Sequence, residues 1–512
     1  MTEYVLTIDL GTSGPKVALF TLDGAFVDGD FTPVDLKVLP GGGVEQSPAA
    51  WWDGVVAAAQ RLMGRSVIPV DDVVAVSVTS QWSGTVAVDR DGTPLHDAII
   101  WMDSRGAEET RRVVGGPLRV QGYDPRKLRT WISRTGGAPA LSGKDSISHI
   151  LWLQRERPDI ARATWKYLEP KDWLNFRLTG TAAATFDSIV LHWVTDNRDH
   201  ARIDYDPQLL RVAGIDRAQL PDLVAATSVL APLSAVAAQE LGLRPGIPVV
   251  GGTPDLQSAA IGSGAVRDYE GHLYVGTSSW LTCHVPFKKT DLFHGIASLP
   301  SPLPGKYYVA DEQEVAGGCL DWLREHALET ADDFSHLDAI AEKVAPGSGG
   351  VIFTPWLNGE RTPVDDHTLR AGWHNLSLAT TRAELTRSVL EGVAYNSRWL
   401  LSTVEKFVGR PFPWLHFIGG GAQSALWCRI MADVLQREIR QVANPIRANA
   451  RGAALLAGIA LGRIDVDDLA RNVSVVETFV PDPGTSSTYD ALYDEFRVLH
   501  KQTSRRTKRH GG

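Results

Sequence analysis

Two widely separated stretches of the chain carry one pattern. TIDLGTSGPKVALF (residues 7–20) and LYVGTSSWLTCHV (273–285) each set Gly-Thr-Ser between two apolar runs. Apolar runs joined by a short turn rich in glycine and hydroxyls read as a β-hairpin. One hairpin constrains little, but its return after a domain's length of chain implies a fold built from two related halves. In the first half YVLTIDL and PKVALFTL pair, and SPAAWWDGVVAAAQRLM has helical spacing with Pro48 in its first turn. DVVAVSVTSQ is a further strand ending in polar residues. After about residue 262 the pattern restarts: the second hairpin, a helix around LTRSVLEGVAYNSRWLLSTVEKF, then strand, glycine-rich turn and helix in WLHFIGGGAQSALWCRIMADVL. Alternating strands and helices indicate α/β architecture, and 512 residues exceed what one core usually organises. We expect a first domain over 1–262, a second over 263–490, and a helix end with a basic tail, KQTSRRTKRHGG, solvated and frayed, within 491–512. Two halves facing one another would place the two turns on opposite walls of one cleft.

The charge balance narrows the partners. A net charge of −9 disfavours nucleic acid and anionic membranes, and leaves small metabolites bound by local positive groups. No apolar run is long enough to cross a bilayer. The opening MTEYVLTIDL lacks the basic and apolar regions of a signal peptide, and the three cysteines, Cys283, Cys319 and Cys428, form no CxxC pair. A protein of the reducing cytoplasm with small buried thiols is expected.

Chemistry concentrates at strand ends. Backbone N–H groups of a glycine-rich turn can point at phosphate oxygens, with Thr and Ser hydroxyls as added donors, and Asp9 at the end of the first strand could orient Mg2+ through water. No GxxxxGK[ST] occurs, so a phosphate site here is of another type. In VVGGTPDLQSAAIGSG (249–264), Asp255 opens a segment of small residues. An ordinary helix cap is the plain reading; between two phosphate-type turns, Asp255 becomes a general-base candidate. The glycines of IGGGAQSALW (418–427) permit close approach of phosphate or a flat ring. SQWSG (80–84) and IIWMDSR (99–105) set polar residues beside an aromatic, the mixture a sugar site uses, although Asp103 and Arg105 could equally form a local ion pair. No HExxH, His/Cys cluster or GxSxG is present.

In order along the chain, IDLGTSG, WWDG, SQWSG, IIWMDSR, KDWLNFRLTG, GGTPD, GTSSW, FTPWLNGERTP, ELTRSVLEG and IGGGAQS resemble the FGGY carbohydrate kinases, most nearly the xylulose kinases. The resemblance spans nearly the whole chain. It implies two ribonuclease-H-like domains of the actin and hexokinase type facing each other across a cleft, the first holding sugar and catalytic base, the second the nucleotide. By that resemblance the cofactors are ATP and Mg2+, with Asp9 orienting the metal and Asp255 accepting a proton from the sugar hydroxyl as it attacks the γ-phosphorus. Gly11, Thr12, Ser13, Lys16, Gly276, Thr277 and Ser278 would line the phosphate path, and Gly420, Gly421 and Gln423 would lie by the adenosine. Gln81, Trp82, Ser83, Asp103 and Arg105, with Asp255, would meet the sugar or polyol. A homodimer is possible on the same ground.

Some positions depart from the family pattern. Trp82 and Ser83 stand where xylulose kinases carry Met-His, Leu256 follows the catalytic aspartate where Asn or Gln is common, and His149, Asn375 and Pro15 replace Lys, Gly and Val. The bulk of Trp82 opens the acceptor to a ketopentose such as xylulose, another pentulose, a deoxy sugar or a polyol. A catalytically impaired sugar or nucleotide sensor is the alternative, disfavoured by retention of Asp255. An actin-like or chaperone-like ATPase leaves GERTP and residues 80–105 unexplained.

Overall fold

The computed structural model describes residues 2–509. Its first sheet holds β1 (Tyr4–Gly11), β2 (Gly14–Thr21), β3 (Phe26–Phe31), β4 (Val73–Ser80), β5 (Val229–Pro232) and β6 (Pro248–Pro254), in spatial order β5-β6-β4-β1-β2-β3. β1, β2 and β3 form an antiparallel meander, while β4 runs parallel to β1 and β6 parallel to β4. The second sheet holds β7 (Gly271–Val275), β8 (Ser279–Val285), β9 (Thr290–Asp291), β10 (Ile296–Pro300), β11 (Tyr307–Gln313), β12 (Trp414–Ile418), β13 (Glu438–Val442) and β14 (Val475–Phe479), in order β9-β10-β11-β8-β7-β12-β13-β14. Here β7, β8 and β11 are the antiparallel trio, with β12 parallel to β7 and β13 parallel to β12. The five central strands therefore repeat one topology, the duplication that the twin Gly-Thr-Ser turns announce.

Each sheet gains its core from amphipathic helices. Helix α1 (Pro48–Gly64), capped by Ser47, presses Trp51 and Trp52 into the first core beside Trp173. Downstream come α2 (Asp255–Ser263), α3 (Arg382–Val408), α4 (Ala425–Leu435), α5 (Ala448–Ala460) and α6 (Ser486–Arg509). Helix α3 begins with a Thr381–Glu384 capping box and lies almost wholly inside the second core. All three cysteines are buried and unpaired. Among the described residues no helix is long and apolar enough to cross a membrane.

The expectation of a frayed tail is corrected as far as Arg509; residues 510–512 lie outside the described residues. Helix α6 persists because its inner face docks on aromatic surface: Phe496 packs on Trp356 at 5.3 Å between ring centroids, and the Arg497 guanidinium stacks 3.7 Å over Trp399. Ser504 Oγ donates to Asp366 Oδ2 at 2.9 Å.

Two local devices aim the cleft. In β6 the register with β4 shifts between Val250 and Thr253, a bulge that needs Gly252 at φ +69. The Gly251 carbonyl freed there accepts from Lys171 Nζ (2.9 Å) and Asn175 Nδ2 (2.8 Å), two residues of the KDWLNFRLTG segment. The second device joins the domains. α5 lies on the first sheet through Ala450, Ala454 and Ala457, packed against Val5, Ala75 and Val250, and crosses α2 at backbone contact. A methyl on Gly452 would lie 1.9 Å from the Ser258 carbonyl oxygen, and one on Gly262 would lie 1.8 Å from that of Ala448.

Gly452→Ala tests that contact. Alanine favours an isolated helix by about 1 kcal/mol over glycine, yet a methyl forced against backbone costs about 1–3 kcal/mol or more. We expect a lower Tm by differential scanning calorimetry; a raised Tm would show that the two helices can part without cost.

Candidate active site between the two domains

The parallel strands of both sheets end at the same cleft, where ligands of open α/β sheets bind. Asp9 on β1 pairs in register with Thr79 on β4, and Pro254 on β6 with Ser80, so Asp9, Gln81 and Asp255 emerge side by side. In the second sheet Tyr274 on β7 is level with Ile418 on β12, which places Gly276 and Gly419 just beyond the strand ends.

A cavity of about 390 Å³ lies between these edges. Asp9 and Lys16 line one wall; Tyr274, Gly419, Gly420, Arg447 and Asn449 line the other. Asp9 is 3% exposed, and Lys16, its partner across the hairpin, approaches its Oδ2 to 3.5 Å. Arg447 stacks 3.6 Å over Phe26 of the opposite domain, and burial lowers its pKa.

Asp255 is the first residue of α2, at the cleft floor. Pro254, not Asp255, occupies the cap position, and the Asp255 carboxylate accepts from its neighbour's backbone, Leu256 N–H, at 2.9 Å. Burial, reinforced by the negative charges of Asp9 and Glu312, pushes the carboxyl up to about 8; the Leu256 N–H and the Lys16 ammonium act in the opposite sense. The rest of the helix that begins here is buried, which fixes the backbone from which the acid projects.

The turn residues divide. Ser13, Thr277, Gly420 and Gln423 are exposed at the cleft edge, and Gly11, Gly276 and Ser278 are partly so, while Gly421 is buried against Val275 and Trp427. The hydroxyl of Thr12, expected on the phosphate path, is drawn inward: it donates to Gln81 Oε1 (3.1 Å) and accepts from Trp101 Nε1 (3.0 Å). Gln81 Nε2 continues the chain to Gln46 Oε1 (2.8 Å), whose own Nε2 donates to the Thr12 carbonyl (2.7 Å). Thr12 and Gln81 thus brace the first turn from behind.

The sugar-type residues are also unequal. Trp82 is partly exposed, its indole N–H fixed by the Ser188 carbonyl at 2.9 Å, and Ser83 (φ +58) donates to the Lys144 carbonyl at 2.7 Å. Asp103 is 1% exposed and spends its oxygens on Val44 N–H, Arg105 N–H and the Arg105 guanidinium. Arg105 also binds Glu45 and stacks on Trp152 at 3.9 Å. The local ion pair is the arrangement found: Asp103 and Arg105 tie residues 42–45 to the wall, and both Asp103 oxygens are engaged by Val44 and Arg105.

Other residues at the cleft carry no local sequence signal. Arg361 of GERTP bonds both Glu312 and Glu314 at the end of β11 and reaches across to the Trp101 ring at 5.5 Å. Lys144 faces that cluster, its pKa lowered chiefly by burial and by the nearby Arg361 charge. Trp101, Arg361 and Tyr274 fall within recognisable motifs that attach no role to them; Lys144, Arg447 and Asn449 fall in none, and all meet by tertiary folding.

Comparison with known proteins agrees with this geometry. The N-terminal domain of the FGGY family of carbohydrate kinases matches residues 4–262 and its C-terminal domain residues 272–461. A xylulose kinase of Staphylococcus epidermidis is 27% identical over 510 residues, spanning 99% of this chain and 98% of that protein. A gluconokinase of Bacillus subtilis is 27% identical over 478 residues, with 91% and 90% covered. The structure of xylulose kinase from Rhodospirillum rubrum superposes with a TM-score of 0.83 at 26% identity, covering 99% of this chain and all of that one (100%). With both family domains matched in order on two ribonuclease-H-like sheets that share one cleft, the chain belongs to the FGGY family of carbohydrate kinases.

Proposed function

We propose that this carbohydrate kinase transfers the γ-phosphoryl group of ATP to a hydroxyl of a ketopentose such as xylulose, or of a related sugar or polyol, with Asp255 as general base. The observation that carries the reading is the Asp255 carboxyl: it sits where both sheets end, and its pKa is raised to about 8. A base is most effective when its pKa lies near the working pH, and such a group typically contributes about 10²–10⁴-fold. Asp255 takes the acceptor's hydroxyl proton as that oxygen bonds to phosphorus. The exposed hydroxyls of Ser13 and Thr277 and the Lys16 ammonium line the phosphate path, with Gly420 and Gln423 toward the nucleoside. Trp82 offers the acceptor an apolar face.

Asp9 fits Mg2+. It is a buried carboxylate on the cavity wall, and among the described residues no three acidic, His or Cys side chains gather as a metal cage. Mg2+ favours such sparse protein ligation because it keeps waters and substrate phosphate oxygens. Bound there, the ion would offset phosphate charge during transfer. Lys16, beside Asp9, adds a positive charge from the same wall.

Four outcomes test the reading. Asp255→Asn should lose phosphorylation by at least about 10²-fold in an ADP-release assay over a panel of sugars and polyols, while nucleotide affinity stays near wild type; full turnover would remove Asp255 from the chemistry. In the parent protein the carboxylate is the active form, so kcat/KM should climb through neutral pH, reach half its limit near pH 8 and level off about one unit above that. The same shift has a stability cost with a definite sign. A folded-state pKa above the ordinary carboxylate value means that native stability falls as pH rises from about 4 towards 8. Asp255→Asn should therefore raise Tm at pH 8 and do so much less at pH 5; equal gains at both would break the link to ionisation. Finally, Trp82→His should alter the ranking of acceptors while leaving the KM for ATP unchanged, and an unaltered ranking would take Trp82 out of the sugar pocket.

A further inference from the structure

Tyr274 is the penultimate residue of β7, directly before the second Gly-Thr-Ser turn. Its ring lies face to face on Trp280, which follows that turn on β8, with centroids 3.7 Å apart and planes 7° from parallel. The neighbouring backbone is equally close. A methyl on Gly276 would lie 2.1 Å from the Tyr274 hydroxyl oxygen, and one on Gly419 would lie 3.0 Å from its Cδ2. The stack and the two flanking turns fix the ring, and the hydroxyl comes to rest beside the turn at 276–278, in the cavity that Asp9 and Lys16 line from the other domain.

The hydroxyl has no hydrogen-bond partner among the described residues. Tyr308, also in this sheet, shows the usual alternative by donating to the Leu256 carbonyl at 2.8 Å. A phenol held rigidly at a cavity wall, partly exposed and without a protein partner, is a donor open to a ligand. Burial, with the charges of Asp255 and Asp9, pushes its pKa up to about 12, so it keeps its proton through the neutral range. Tyr274 and Asp9 line the same cavity from opposite domains, which sets the donor across from the carboxylate assigned to the metal. The acceptor suited to that space is an anionic oxygen in transit between the two domains.

We propose that Tyr274 contacts the transferred group: its phenol O–H donates a hydrogen bond to a non-bridging oxygen of the phosphoryl group as it passes from nucleotide to acceptor. This inference rests on the kinase reading above. No covalent bond to tyrosine forms, and the proton stays on the phenol throughout. A donor fixed in advance, at a point where negative charge is redistributed, stabilises the transition state more than the bound substrates.

Tyr274→Phe removes the donor and keeps the ring and its stack. The expected result is a fall in kcat of about ten- to a hundred-fold, the usual worth of a hydrogen bond to a charged group, with KM for ATP and for the sugar within about two-fold. Calorimetry separates this from a packing defect. Mg2+–ADP alone should bind the variant as it binds the parent, whereas Mg2+–ADP with aluminium fluoride, which imitates the phosphoryl in flight, should bind the variant about ten-fold or more weakly. Equal kcat and equal affinity for the fluoride complex overturn the inference. So does a moved inflection in the pH profile with unchanged fluoride affinity, since the hydroxyl would then act on Asp255. If the parent protein phosphorylates no sugar or polyol, the kinase reading fails instead.

Discussion

The close crossing of α2 and α5 is the contact from which the rest of the cleft takes its dimensions. At Gly262 and Gly452 the two backbones meet with no side chain between them. Polar groups pin the same crossing: Ser258 Oγ donates to the Asn449 carbonyl (2.7 Å), and Arg451 Nε to the Gly262 carbonyl (2.6 Å) at the end of α2. Buried along its length, Arg451 has its pKa lowered to about 10, yet two of its nitrogens are satisfied by the carbonyls of Gly262 and Ala443. Because α2 begins at Asp255 and α5 begins beside Arg447 and Asn449, one contact sets the distance between Asp255 and the opposite wall of the cavity. Close-packed helices of this kind resist small adjustments, which suits a reaction sensitive to ångström misplacement.

Electrostatic frustration is the second organising property. Asp9, Asp255 and Glu312 bring negative charge to one floor, with Lys16 as a largely exposed counterweight. The cost falls on Asp255, whose ionisation is suppressed until pH approaches 8. Glu312 and Glu314 share the Arg361 guanidinium, which against burial holds the Glu314 carboxyl below its ordinary value. GERTP therefore contributes a cation that manages acidic groups at the domain seam, and its reach to Trp101 ties the second domain to the sugar-facing wall of the first. An acidic floor of this kind repels a bare anionic phosphate and favours one that arrives with a divalent cation.

Much of the fold was legible in sequence for a simple reason: hairpins, glycine turns and amphipathic helices are local. GTSG and GTSS mark the two sheet nuclei, and the spacing around Trp51 and along residues 382–408 gives the helices that cover them. Asp9 and Asp255 were legible because a strand-end acid beside a glycine turn is itself a local pattern. Asp103 and Arg105 show the limit. The dipeptide spacing that suits a sugar site suits an ion pair equally well, and burial of Asp103 among Val44, Arg105 and the 42–45 loop selects the latter. Thr12 carries the same lesson, since its hydroxyl faces Gln81 and Trp101, residues remote in sequence.

The sequence by itself determined the duplicated α/β architecture, the family and the acid at the head of α2, since each is read from short contiguous motifs and their order along the chain. Tertiary structure alone decided which polar groups remain free. Glu312, Arg361, Lys144 and Tyr274 come from segments with no shared local pattern, and their roles follow from who else is within a few ångströms. Hydrogen bonding and ionisation depend on through-space distance and burial, and neither quantity exists until the two sheets have closed around the same cleft.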